Sequence, residues 1–297
     1  MNRLFVFGCS FTSYIWPTWA DMLGIEFPYY ENWAISNTGN RAIAERVAEC
    51  NAKNKFTEQD TVIVQWSSHT RHDWFIDEKD PITEENIGWA VNRVKGRKPK
   101  FQKLVDYIYS DKAYSMNTLN FVSMIQALLE QTKCKWFMTS IGDLRNLGYD
   151  TIFSDKLEDI KLPKKKIKNC LIWELYPELK CYEHIWTKYS NNWLNPIFPT
   201  VIENKNYIWK FEKDNYIDFH PTMFHHNLWL EQNLKNKLNI NYQYDAVRNQ
   251  MVELSNRIKS KSDYGLEKFS ITLEKATKKL LYKHNLDFQE LEKKVGF

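Results

Sequence analysis

The run Leu4-Phe5-Val6-Phe7 has no polar residue that could face water. A strand of this kind is covered on both faces, which is the condition of a strand inside a parallel sheet. The same reading applies to Thr61-Val62-Ile63-Val64-Gln65-Trp66 and to Lys135-Trp136-Phe137-Met138-Thr139. A further strand is expected over residues 27–34. Between these runs lie helical patterns. Residues 16–23 read as a helix with Pro17 in its first turn and Gly24 at its end. Residues 41–52 read as an amphipathic helix, with Ile43, Val47 and Cys50 inside and Arg46 and Glu49 outside. Residues 117–131 read as another, with Phe121, Met124, Ile125, Leu128 and Leu129 on its apolar side. Strands alternating with helices at this spacing predict an α/β fold with a doubly wound parallel sheet.

Such sheets build their sites where strands end, and here the strand ends are polar. The first runs into Gly8, Ser10 and Thr12; the second into Ser36-Asn37-Thr38-Gly39-Asn40; the third into Ser67-Ser68-His69-Thr70-Arg71. Later, Asp218-Phe219-His220-Pro221-Thr222 precedes a helix expected over residues 223–237, with Pro221 in its first turn. A hydroxyl, an imidazole, a carboxylate and hydrogen-bond donors are the parts that acyl transfer requires. The hydroxyl is a poor nucleophile until an imidazole takes its proton, and the carboxylate orients that imidazole. Donors then meet the oxyanion.

Composition narrows the alternatives. The chain is 43% hydrophobic and 26% charged, a globular balance. A net charge of +4 without long basic runs gives no footprint for nucleic acid. The densest clusters, Lys95 to Lys100 and Lys164-Lys165-Lys166, read as solvated loops. Five scattered cysteines, Cys9, Cys50, Cys134, Cys170 and Cys181, fit reduced thiols better than a disulfide framework or a zinc site. Cys9 reads as packed, on the opposite side of the chain from Ser10. His225 and His226 follow His220, but no carboxylate spacing completes a metal centre, so neither metal nor cofactor is expected. No apolar run spans a bilayer. Met1-Asn2-Arg3 enters the first strand directly, and the expected location is cytoplasmic, without membrane or nucleic-acid partners.

The ordered blocks resemble the SGNH (GDSL-like) hydrolase family. Phe7-Gly8-Cys9-Ser10-Phe11-Thr12 is similar to its nucleophile block, with Cys9 where the family usually has Asp. Residues 32–40 and 62–68 are similar to the second and third blocks, and Asp218-Phe219-His220-Pro221 to the last. The resemblance covers roughly the first 240 residues. It implies a three-layer, flavodoxin-like α/β/α fold and hydrolysis of a small acyl ester, often an O-acetyl group on a carbohydrate. Ser10 would be the nucleophile, His220 the base and then acid, and Asp218 its partner. The implied oxyanion donors are Asn37, Gly39, Asn40 and Ser68. Asn37 stands where the family's glycine falls and Ser68 where its asparagine falls. Asp218 is two residues before His220 rather than three. Arg71 either binds a substrate carboxylate or phosphate or pairs with Asp73 or a helix end. A non-catalytic ligand-binding or assembly protein on the same fold is the alternative.

Insertions are expected over residues 74–112 and 150–210, the first rich in loops and the second lying over the site. Residues 241–297 read as a helical extension to a domain spanning 1–240, with helices over 242–261 and 266–291. Their apolar positions need cover, either from the core or from a second copy in a homo-oligomer.

Overall fold

Arg3–Phe7 forms the first strand (β1), and Leu4, Phe5, Val6 and Phe7 are all fully buried. In the computed structural model, residues 2–79, 86–93, 110–146, 171–238, 240–260 and 265–286 are described. The lysine clusters at 95–100 and 164–166, Cys170 and the expected helix end at 291 lie outside them.

After β1 come α1 (Trp19–Gly24), β2 (Tyr29–Asn32), α2 (Asn40–Asn54) and β3 (Thr61–Trp66). β4 (Arg71–Lys79), β5 (Asn86–Arg93), α3 (Asp111–Thr132) and β6 (Lys135–Ser140) follow. β1, β2, β3 and β6 make a parallel four-stranded sheet in the order β2-β1-β3-β6. A later segment runs beside β6: Leu194 N–H donates to Met138 O at 2.8 Å and Ile197 N–H to Ser140 O at 3.1 Å. Side chains alternate across the sheet, as a pleated strand requires. Leu4, Val6, Ile63 and Phe137 enter one core, while Phe5, Phe7, Val62, Val64, Trp136 and Met138 enter the other. α2 and α3 cover the second core, with Val47 and Leu129 fully buried.

Several expectations are corrected. α1 begins at Trp19, because Thr18 is its extended N-cap and Asp21 closes a capping box, accepting Thr18 N–H at 2.7 Å. Pro17 therefore precedes the helix, and Gly24 is its last residue rather than its stop. Arg46 is buried, not outside: Nε donates to Trp33 O at 2.5 Å and the guanidinium lies 5.2 Å from the Trp33 ring centre. Burial pushes its pKa down to about 10. On α3, Met124 is 64% exposed and Phe121 and Leu128 only line the core edge, while Ile125 and Leu129 fill it. The stretch expected to be loop-rich after residue 74 contains the antiparallel pair β4–β5.

Residues 172–193 form short helical turns that pack on α3 and the β6 edge, with Ile172, Leu179 and Ile185 in the core beneath α2 and α3. This part of the expected cover lies beside the sheet, because its apolar side chains complete that core. Next come β7 (Trp209–Phe211) and β8 (Tyr216–Asp218), an antiparallel pair, then α4 (Met223–Asn233). Thr222 is the N-cap of α4, which leaves Pro221 outside the helix.

The tail forms α5 (Asp245–Ser260) and α6 (Leu266–Lys283), which fold back on the chain's own core. Val247, Met251, Phe269, Leu273 and Leu281 join the cluster of Leu4 and Trp19. Buried Arg248 pairs with buried Glu26 beyond α1, whose carboxylate also accepts Gln243 N–H at 3.0 Å and Tyr244 N–H at 3.1 Å. Asp214, in the β7–β8 turn, accepts Leu266 N–H at 2.5 Å and so caps α6. Phe269 inserts beneath the same hairpin, with ring centres 4.7 Å from Trp209, 5.4 Å from Phe211 and 6.3 Å from Trp16.

Truncating that ring leaves a cavity under β7–β8. Phe269→Ala is expected to lower the unfolding free energy by about 3–5 kcal/mol, read by urea denaturation. A loss below about 1 kcal/mol would show that the tail rests on the core without supporting it.

Candidate functional site

The site lies at the carboxyl end of β1. Cys9 O accepts Thr12 N–H at 2.8 Å and Ser13 N–H at 3.0 Å, so the chain turns sharply around Ser10. Gly8 makes the turn possible. A Cβ there would sit 2.2 Å from Thr12 Oγ1, and that hydroxyl is already committed to Gln65 Oε1 at 2.5 Å. Thr12 O accepts from Thr18 Oγ1 at 2.7 Å and Asn32 Nδ2 at 3.0 Å, which joins the turn to α1 and β2.

Asp218 and His220 reach this turn from the end of β8, about two hundred residues away in sequence. Ser10 Oγ lies 2.9 Å from His220 Nε2, and His220 Nδ1 lies 2.6 Å from Asp218 Oδ1. Asp218 Oδ1 also accepts the His220 backbone N–H at 2.8 Å. The two-residue spacing thus lets one carboxylate hold both the backbone and the ring of the histidine. With Nδ1–H donating to the carboxylate, Nε2 is left to accept the Ser10 hydroxyl. Asp218 is fully buried and Ser10 only 5% exposed, whereas the His220 side chain is 21% exposed. Burial works against the charge of Asp218. The hydrogen bond and charge of His220, with the Tyr14 hydroxyl, outweigh burial and hold the carboxyl below its ordinary range.

Tyr14 carries no sequence signal of a site. Its hydroxyl donates to Asp218 Oδ2 at 2.6 Å, and its ring stacks on His220 with centres 3.9 Å apart and planes 20° from parallel. Burial first, then the Asp218 charge, pushes its phenol far above its ordinary pKa. Phe11 flanks the imidazole at 5.3 Å between ring centres. Nothing in the spacing of Tyr14 distinguishes it from the aromatic packing residues around it.

The expected oxyanion residues separate. Asn37 takes φ 69°, the left-handed conformation in which Asn is the usual substitute for Gly. The loop bearing it is tied to the Ser10 turn: Thr38 Oγ1 donates to Gly8 O at 3.1 Å and Ile35 N–H to the same oxygen at 3.3 Å. Among the described residues, the Asn37 and Ser10 backbone N–H groups donate to no other group. The other three have hydrogen-bond partners elsewhere. Gly39 N–H donates to Asp73 Oδ1 at 2.6 Å, and a Cβ on Gly39 would lie 2.7 Å from that carboxylate. Asp73 also accepts Ala42 N–H at 3.0 Å, so it caps α2 from β4. Burial raises the Asp73 carboxyl despite these donors. Asn40 binds Ser67 N–H at 2.7 Å through Oδ1, and Ser67 O and Thr118 Oγ1, each at 3.1 Å, through Nδ2. Ser68 Oγ is bonded to Thr70 Oγ1 at 2.8 Å. Arg71 is buried and donates Nη1 to Thr38 O at 2.6 Å, so it supports the Asn37 loop.

His225 and His226 are buried on α4. His225 Nδ1 accepts Thr222 N–H at 3.0 Å and Nε2 donates to Asn204 O at 3.0 Å, so the ring completes the helix cap while neutral. Among the described residues, no group of three His, Cys, Asp or Glu is arranged to hold a metal ion. The chain matches no family model, no curated protein and no solved structure.

Burial pushes His225 down to about 4. The unfolded imidazole, near 6.5 (roughly), therefore binds a proton over a range where the folded one does not. Its contribution is complete above about pH 6.5 and is lost as pH falls toward about 4. His225 alone is expected to cost about 3 kcal/mol of stability to urea across that window, and His225→Gln to remove that part of the drop, leaving the part due to His226, which burial also holds neutral. A wild-type curve that stays level there would contradict a neutral buried cap.

Proposed function

We propose that this protein is a serine hydrolase of the SGNH (GDSL-like) type that cleaves a small acyl ester, with an O-acetyl group on a carbohydrate as the substrate class. The observation that carries the reading is the chain of contacts from Ser10 Oγ through the His220 imidazole to the Asp218 carboxylate. These three residues were expected from sequence to act together, and they meet within hydrogen-bonding distance. The strand order β2-β1-β3-β6, followed by the segment beside β6, agrees with a flavodoxin-like doubly wound sheet.

In this mechanism His220 Nε2 removes the hydroxyl proton as Ser10 Oγ attacks the ester carbonyl. The negative charge that develops on the carbonyl oxygen is met by the backbone N–H groups of Ser10 and Asn37. The imidazolium, paired with Asp218, returns its proton to the departing alcohol. Water then attacks the acyl-serine with His220 again as base, which releases the acid and restores the hydroxyl. Of the expected oxyanion donors, Asn37 alone is retained. Gly39, Asn40 and Ser68 hold the loops around it, and Arg71 serves that loop rather than the substrate. No helix among the described residues is long and apolar enough to cross a membrane. Among the described residues, the tail turns Val247, Met251, Phe269, Leu273 and Leu281 into the chain's own core.

The engagement of Gly39, Asn40 and Ser68 also favours a second reading, a fold that holds an ester or sugar without cleaving it. Steady-state hydrolysis of p-nitrophenyl acetate separates the two. Wild type is expected to turn over, and Ser10→Ala to lose at least about a thousandfold in kcat/KM. Asp218→Asn is expected to lose at least about a hundredfold, because the imidazole tautomer is no longer fixed. Absence of turnover by wild type, or equal rates for wild type and Ser10→Ala, would overturn the hydrolase and leave the binding protein.

A further inference from the structure

We infer that Tyr14 is a positioning residue for His220, fixing the plane of the imidazole through its ring and tempering the basicity of the pair through its hydroxyl. The inference deepens the hydrolase reading and rests on it for its consequence in catalysis. Its physical content concerns the histidine alone.

Asp218 has two oxygens and divides them. Oδ1 accepts both donors of His220, at 2.8 Å and 2.6 Å, while Oδ2 accepts the Tyr14 hydroxyl at 2.6 Å. A second strong donor spreads the carboxylate charge, so less of it is available to stabilise the imidazolium. The phenol keeps its proton throughout and transfers nothing. Removing the hydroxyl therefore concentrates charge on His220 and makes the ring easier to protonate. Stacking at 3.9 Å fixes a second property, since it restricts rotation of the ring and keeps Nε2 directed at Ser10 Oγ. Tyr14 is itself held. Trp16 packs edge-on against it at 4.5 Å and 81°, and Trp16 Nε1 donates to Pro221 O at 3.0 Å, next to the histidine.

The other titratable groups around the pair are Tyr216, which interacts with Tyr14 from β8, and His225 and His226 on α4. Both histidines are held neutral by burial near neutral pH. Asp218 is thus the carboxylate through which Tyr14 acts on His220.

The test uses the full chain with Tyr14→Phe, which keeps the ring and removes the hydroxyl. Protonation of His220 is followed by side-chain NMR of histidine-labelled protein, alongside the pH profile of kcat/KM for p-nitrophenyl acetate. Tyr14→Phe is expected to raise the proton affinity of His220 about threefold to tenfold and to move the acidic limb of the profile upward equally. Tyr14→Leu removes the stack as well, and is expected to lower kcat by about a further tenfold. The increments in His220 should vanish in the Asp218→Asn background, because the effect passes through the carboxylate. An unchanged His220 titration in Tyr14→Phe overturns the inference, whatever its activity. A shifted titration in a protein that hydrolyses no ester upholds the positioning role and overturns the hydrolase reading instead.

Discussion

Strand β1 is closed to water on both faces, and this constraint sets the arrangement of the site. With Leu4 and Val6 in one core and Phe5 and Phe7 in the other, β1 must run between β2 and β3 with helices above and below. The chain leaves the sheet at Gly8, where Thr12 occupies the space a side chain would need. Ser10 is consequently presented at the carboxyl end of an interior strand by a turn tied to Gln65, Thr18 and Asn32. A hydroxyl in such a turn keeps one orientation, which is the condition for a fixed hydrogen bond to a partner supplied from elsewhere.

That partner is supplied by the least regular part of the fold. β7 and β8 have three residues each, too short to hold Asp218 by strand pairing alone. The hairpin is held instead by Phe269 beneath it and by Asp214, which caps α6. α6 is itself tied to α5, and α5 to the turn after α1 through Arg248 and Glu26. The helical tail therefore acts as a brace for Asp218 and His220. A buried ion pair adds little net stability, but breaking it by removing one partner is costly, so Arg248 and Glu26 fix where the tail docks.

What the sequence made legible follows from how local each signal is. β3 and β6 were readable because an apolar run between polar residues is complete within a few positions, and Ser10, Asp218 and His220 because they sit at such ends. Arg46 and Met124 depart from the helical pattern because period alone does not say how wide the buried stripe is. Trp33 reaches over Arg46, and the core ends before Met124. Asp73 as the cap of α2, and Asn40 as the clamp between β3 and α3, are contacts across 34 and 78 positions that no window contains. Tyr14 belongs to the same class: its partner lies 204 positions away. Asn37 is legible as a loop position, and its left-handed backbone is the conformation a glycine there would adopt freely.

The central claim is that His220 activates one particular hydroxyl, that of Ser10. Reaction with a fluorophosphonate, followed by peptide mass mapping, tests it most directly, because the reagent traps a nucleophilic serine without requiring the natural ester. The account predicts a single adduct on Ser10, formed in wild type and absent when His220 is replaced by Gln. No adduct, an adduct on another residue, or labelling of Ser10 that does not depend on His220 would contradict it.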